Sequence, residues 1–144
     1  MGLKYTDFKK ILKAHFIIGI MDRKMVGILG EEISKRYLES KGHQIMETNF
    51  HSRFGEIDII SEKDSEIIFT EVKTRTSNKF GTPEESLTQK KLNRIKKTVF
   101  HFLNTSTNLH NFNWRIDLIT VRLDLGKSSA HLKHFKNING SAYS

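Results

Sequence analysis

Cysteine is absent from all 144 residues. Disulfides, thiol nucleophiles and thiolate zinc sites are thereby excluded, and the absence agrees with a reducing cytoplasm, where we expect the protein. Proline occurs once, at Pro83. No apolar run is long enough to span a membrane; Phe16-Ile17-Ile18-Gly19-Ile20-Met21 is far too short. Lysines ahead of that run hint at a signal peptide, but no small-residue cleavage site follows. The chain has no internal repeat, no P-loop, no Gly-rich dinucleotide turn and no His-x₃-His pair on a helix, and no motif sets Ser, His and Asp as a triad. Positive charge is what it has in excess: 24 Lys and Arg against 16 Asp and Glu, a net charge of +8. Such an excess favours a polyanionic partner, nucleic acid first and an anionic membrane surface second. The length suits one domain, and 37% hydrophobic with 28% charged residues is a soluble globular balance.

The informative stretch is 55–73, GEIDIISEKDSEIIFTEVK. Two β-branched and aromatic runs, Ile57–Ile60 and Ile67–Lys73, flank the polar cluster Glu62–Glu66, which predicts a β-hairpin. A turn centred on Asp64-Ser65 pairs Lys63 with Glu66, and the same register sets Asp58 opposite Glu71. Opposed residues on one face have Cβ atoms about 4.5–5.5 Å apart, and like charges there destabilise a sheet. A divalent cation with hard oxygen ligands, Mg²⁺ or Mn²⁺, would reconcile the two carboxylates. Lys73 shares the face of Glu71 and would orient a water or stabilise charge on a phosphate. The competing reading is a solvated hairpin face with an ordinary Lys–Glu pair. The second strand is apolar on both faces, which predicts a central strand, and charges at the end of such a strand are costly unless paired or metal-bound.

Asp58 followed by a strand carrying Glu71-Val72-Lys73 resembles the core of the PD-(D/E)XK nuclease superfamily. The wider string is more specific: Gly30-Glu31, Tyr37-Leu38, Gly42, Asn49-Phe50, Gly55-Glu56-Ile57-Asp58, Phe69, Glu71-Val72-Lys73-Thr74-Arg75, Phe80-Gly81 and Arg115-Ile116-Asp117. It resembles the YraN-like family of bacterial predicted endonucleases, related to archaeal Holliday junction resolvases, over roughly residues 27–136. The resemblance implies an α/β fold of the restriction-endonuclease type, with a mixed central sheet of about five strands flanked by helices. It also implies a metal-dependent endonuclease acting on nucleic acid; the related resolvases work as dimers on branched DNA, which extends the implication to a homodimer and to branched DNA among the substrates. Asp58 and Glu71 would hold the metal. Lys73 would serve the chemistry, and Glu31, on the first helix, would support it. Glu31 also reads as an ordinary first-turn acid favoured by the helix dipole.

Residues 1–26 read as a basic, apolar extension with no catalytic part; a membrane-surface helix over 4–20 is a minor alternative. A helix is predicted over 27–42, with Val26, Leu29, Ile33 and Tyr37 as its apolar stripe and Gly42 as its stop. Residues 43–51 read as a strand, with His43 on the surface and His51 near the site. Residues 74–82 read as a basic flap, in which Arg75 and Lys79 are phosphate-binding candidates and Phe80 packs or stacks. A second helix is predicted over 84–104, opened by Pro83 with Glu84 and Glu85 in its first turn. Leu92, Ile95, Val99, Phe102 and Leu103 form its buried stripe. Lys90, Arg94 and Lys97, with Lys91 beside them, form a ridge expected to bind a nucleic-acid backbone. Lys91 best matches a lysine recurrent in the resembling family, which would reach towards the hairpin end and contact the scissile phosphate, with Gln89 as the alternative. Residues 114–123 and 130–136 read as strands, with Asp117 structural or orienting Arg115, His131 and His134 peripheral, and a loose tail after Lys136. The element order is thus α-β-β-β-α-β-β. A nucleic-acid-binding module that does not cut is the alternative function.

Overall fold

The computed structural model describes residues 22–76, 87–109 and 111–140, together with Lys10. Most of the expected N-terminal extension, residues 77–82 of the expected flap with Lys79 and Phe80, Pro83 with Glu84 and Glu85, and His110 lie outside the described residues; Thr74 and Arg75, expected to open that flap, instead end a strand, where they continue its ladder.

The elements are helix α1 (Arg23–Ser40), strands β1 (Gln44–Ser52), β2 (Gly55–Lys63) and β3 (Glu66–Arg75), helix α2 (Gln89–Thr105), and strands β4 (Asn113–Asp124) and β5 (Ser129–Phe135). The sheet runs β1-β2-β3-β4-β5. Neighbours are antiparallel except β3 and β4, which are parallel. A parallel pair needs a long crossover, and α2 lies within that connection. β3 is central, as its two-sided apolar pattern predicts, with Ile67, Ile68 and Phe69 fully buried. The hairpin turn is Asp64-Ser65, both left-handed at φ 51° and 60°, and it sets Lys63 opposite Glu66. That is the primed geometry that matches strand twist, reached here without glycine.

Each helix covers one face of the sheet. Against α1 lie Ile59, Val72, Ile119, Val121 and Leu123; against α2 lie Ile57, Ile60, Ile67, Phe69, Ile116 and Leu118. The α2 stripe is the predicted one, Leu92, Ile95, Val99, Phe102 and Leu103, with Thr98 added. Its start is not. Thr88 caps the helix by accepting the Lys91 N–H at 3.2 Å, so Pro83 and the two glutamates precede the first turn.

α1 also begins earlier than expected, at Arg23, because Asp22 accepts the Met25 N–H at 2.9 Å. It stops at Gly42, which takes φ 87°. Its buried residues are Leu29, Gly30, Ser34 and Leu38, while Val26, Ile33 and Tyr37 sit at the margin. The expected stripe is therefore rotated. The reason is close approach: a Cβ on Gly30 would lie 1.7 Å from Thr74 Oγ1. The helix rests on β3 through its small residues.

Two histidines expected at the surface are structural. His43 is buried, with Nδ1 2.9 Å from Ser61 Oγ. Burial, then Lys63, lower its pKa from 6.5 to about 4. The unfolded chain therefore takes up a proton below pH about 6.5 that the folded chain refuses until about 4. Stability is full above that window and falls as pH drops through it. Thermal melts at pH 7.5 and 4.5 should differ by on the order of 1–2 kcal/mol from this group, and His43→Gln should flatten that part of the profile. His134 Nε2 lies 2.7 Å from Asp117 Oδ2. Asp117 is fully buried, and it also accepts from Arg115 Nε at 2.9 Å and from the Asn137 N–H at 2.9 Å. Burial would raise its pKa, but these donors together lower it. Arg115 pairs with Glu66 as well, tying the starts of β3 and β4 together. Residues beyond Lys136 are not loose throughout. Ile138 is fully buried, its N–H donating to Ile116 O at 2.8 Å.

Candidate functional site

At Asp58 the strand alternation slips by one residue. Ile57 joins the α2-side core and Ile59 the α1-side core, although residues two apart in a regular strand share a face. β1 slips with it. Phe50, opposite Ile57, packs towards α2, whereas Thr48 and Asn49 line a small pocket under α1 together with Asp58 and Ile59. Asn49 takes φ 53° at this point.

The β2–β3 ladder accordingly ends at Ile59 and Thr70. The expected register holds up to there, but the cross-strand pair of Asp58 and Glu71 does not form. Asp58 Oδ2 instead accepts the Val72 N–H at 2.7 Å, filling the place of a missing ladder partner, and the Glu71 carboxyl lies near enough to raise its pKa. The two acids converge by a different route from the one expected. Both are almost wholly buried, at 9% and 6% exposure. Burial, then the Glu71 charge, push Asp58 up to about 8, against the pull of the Val72 N–H.

Glu71 faces α2. Lys91 Nζ lies 2.8 Å from Glu71 Oε1, and Lys73 Nζ lies 3.3 Å from the same oxygen. Burial opposes the charge on both lysines, with opposite outcomes. Lys73 is lowered by burial and by the neighbouring Lys91. Lys91 ends raised, because Glu71 outweighs its burial. Glu31 is raised by burial, and the charges of Glu56 and Glu71 add to this; a hydrogen bond from Asn49 moderates it.

Two clefts lie at this end of the sheet. One, of about 570 Å³, lies on the α2 side and is lined by His51, Glu71, Lys90, Lys91 and Arg94. The other, of about 580 Å³, lies on the α1 side and is lined by Arg23, Glu31, Lys73, Thr74 and Arg75. The structure thus brings Lys73 and Lys91 into contact with Glu71, and Asp58 near enough to Glu71 and Glu31 to feel the charge of both. Lys90 and Arg94 flank them, while Lys97 is exposed further along α2 and does not line the cleft. Arg75 lines the opposite cleft. Lys79 lies outside the described residues. Sequence reasoning did not single out Arg23, which it assigned to the extension, or Asn49, although Asn49-Phe50 belongs to the string that carries the resemblance and asparagine tolerates left-handed backbone.

Among the described residues no group of three or more His, Asp or Glu is arranged to hold a metal ion. A pair of neighbouring buried carboxyls is nonetheless a donor set that fits Mg²⁺ or Mn²⁺, since these commonly take one or two carboxylates and complete their shell with water and substrate phosphate. No helix among the described residues is long and apolar enough to cross a membrane.

A five-stranded mixed sheet between two helices is the architecture of a restriction-endonuclease-like core. The chain belongs to the family described as Uncharacterised protein family UPF0102, whose model matches residues 30–121. It is similar to the UPF0102 protein of Syntrophomonas wolfei subsp. wolfei, 41% identical over 108 residues, covering 75% of this chain and 92% of the relative. A UPF0102 protein of Sulfurihydrogenibium sp. is 40% identical over 114 residues, covering 79% and 96%. One from Caldicellulosiruptor bescii is 41% identical over 109 residues, covering 76% and 91%.

Proposed function

We propose that this protein is a metal-dependent endonuclease that hydrolyses phosphodiester bonds in nucleic acid, with branched DNA the first substrate to try. The observation that carries this reading is the buried pair of Asp58 and Glu71, each acting on the other's charge, with two lysines on Glu71 and basic residues lining the clefts on either side. A fold gains nothing from burying two adjacent carboxyls, so the arrangement argues for a cation and for chemistry. Mg²⁺ or Mn²⁺ held by Asp58 and Glu71, with Glu31 supporting, would polarise the phosphate and make a bound water more acidic. Lys73, which shares the Glu71 oxygen with Lys91, suits the attacking side: its Nζ can orient the water or stabilise charge on the phosphate as oxygen attacks phosphorus, the water's proton passing to solvent. Lys91, which keeps its charge, suits a non-bridging phosphate oxygen as the bond to the leaving sugar oxygen breaks. Lys90, Arg94, Arg75 and Arg23 would hold flanking phosphates. Lys97 and Lys79 would add binding strength away from the centre.

One observation favours a second reading. Glu71 already has two lysine partners, as it would in a module that binds nucleic acid without cutting it. End-labelled linear, single-stranded and branched DNA, incubated with Mg²⁺ or Mn²⁺, separates the two. Cleavage that falls about 10²–10³-fold in Lys73→Met is the expected result. Salt-sensitive binding with no cleavage of any substrate would leave the module.

A further inference from the structure

Asn49 belongs to no expected set of site residues, yet three observations meet on it. It holds a left-handed backbone, φ 53°, inside a strand. It lies where β1 and β2 both lose their alternation, between the pairs Thr48–Ile59 and Phe50–Ile57. It lines one small pocket together with Glu31 and Asp58.

A left-handed asparagine at a strand edge is by itself an ordinary irregularity. This one has a geometric consequence. In a regular β1–β2 pair Asp58 would point to the α2 side, leaving the Val72 N–H without the acceptor it now has at 2.7 Å. With the slip, Asp58 lies in the gap between β2 and β3, where one oxygen takes that N–H and the carboxyl lies near that of Glu71. We infer that Asn49 is the positioning residue of the carboxylate centre: its backbone turns Asp58 into the β2–β3 gap, and its amide fixes Glu31 beside it. The inference rests on the nuclease reading only for its consequence in catalysis; the placement of Asp58 stands apart from it.

The two roles come apart by substitution. Asn49→Gly keeps the left-handed backbone and removes the amide. Asn49→Ala removes the amide and disfavours the backbone as well. The readout nearest the geometry is hydrogen exchange at the Val72 amide, which the Asp58 bond protects. We expect protection near wild type in Asn49→Gly and at least about 10-fold faster exchange in Asn49→Ala. Mn²⁺ affinity, measured without nucleic acid, should follow the same order, with a loss of at least about 10-fold in the alanine variant. Cleavage should fall in both, and adding Glu31→Gln to Asn49→Gly should cost nothing further. Equal Val72 exchange in both variants overturns the positioning role. So does loss of protection in the glycine variant, which also decides the matter should the alanine variant not fold. If wild type neither binds Mn²⁺ nor cuts, while Val72 exchange follows the expected order, the nuclease reading fails and the positioning role remains.

Discussion

Asp58→Asn should make the metal-free protein more stable while removing its Mn²⁺ binding and its cleavage. Asp58 is almost wholly buried against a second carboxyl, and its pKa is pushed from 3.8 to about 8, first by burial and then by Glu71. The sign follows from proton counts. Between pH about 4 and 8 the unfolded chain has released a proton that the folded chain still holds, so folding stability falls as pH rises through this window. An amide in the same place has no proton to lose. Its oxygen can still accept the Val72 N–H, and its NH₂ can donate to Glu71. We expect a gain of about 1–3 kcal/mol at pH 7.5, shrinking towards pH 4, read from urea titrations at several pH values. Mn²⁺ binding should weaken by at least about 10²-fold, because one of two anionic ligands is gone. A site that holds its acids for function against the interest of the fold behaves this way. A variant that is less stable at pH 7.5 and still binds Mn²⁺ would show that the pair is structural, and the hydrolytic reading would lose its basis.

How far the sequence anticipates this site depends on which physical rule each residue obeys. The order α-β-β-β-α-β-β, the central position of β3 and the register from Lys63–Glu66 to Ile59–Thr70 follow from apolar periodicity and one turn. That Lys91 points to the hairpin end follows from the resemblance; that it pairs with Glu71 does not, because the partner lies on another element. The failures have particular causes. Period two assumes a regular pleat, and nothing in Asn49 or Asp58 announces that both strands slip there. Hydropathy counts Gly30 and Ser34 as neutral, so the stripe of α1 reads as Leu29, Ile33 and Tyr37, although the helix rests on its small residues. Pro83 and two glutamates look like a helix start, but Thr88 supplies the cap. His43 and His134 look peripheral because each lies at an element end. They are buried by partners distant in sequence, Ser61 and Asp117, that no local pattern reveals.

Gly30→Ala should be among the most damaging single substitutions in α1, and its effect should reach the site. An added Cβ would sit 1.7 Å from Thr74 Oγ1 and 2.8 Å from Thr74 Cβ and Cγ2, so the helix must lift from β3 or Thr74 must move. Overpacking of this kind costs about 2–4 kcal/mol, outweighing the roughly 1 kcal/mol that alanine gains over glycine in a helix. Gly27, one turn earlier, is the control: nothing lies within 4 Å of an added Cβ there. Gly27→Ala should therefore stabilise by about 0.5–1 kcal/mol. Thr74→Ala removes two of the three clashing atoms, so the double variant should recover at least about 1 kcal/mol relative to additivity. Glu31 follows Gly30 and Lys73 precedes Thr74, so the same displacement moves one group of the site on each element. Mn²⁺ affinity should fall in Gly30→Ala, recover with Thr74→Ala and stay unchanged in Gly27→Ala. If Gly30→Ala melts like wild type, the close approach of α1 to β3 is wrong, and with it the placement of Glu31 beside the carboxyl pair.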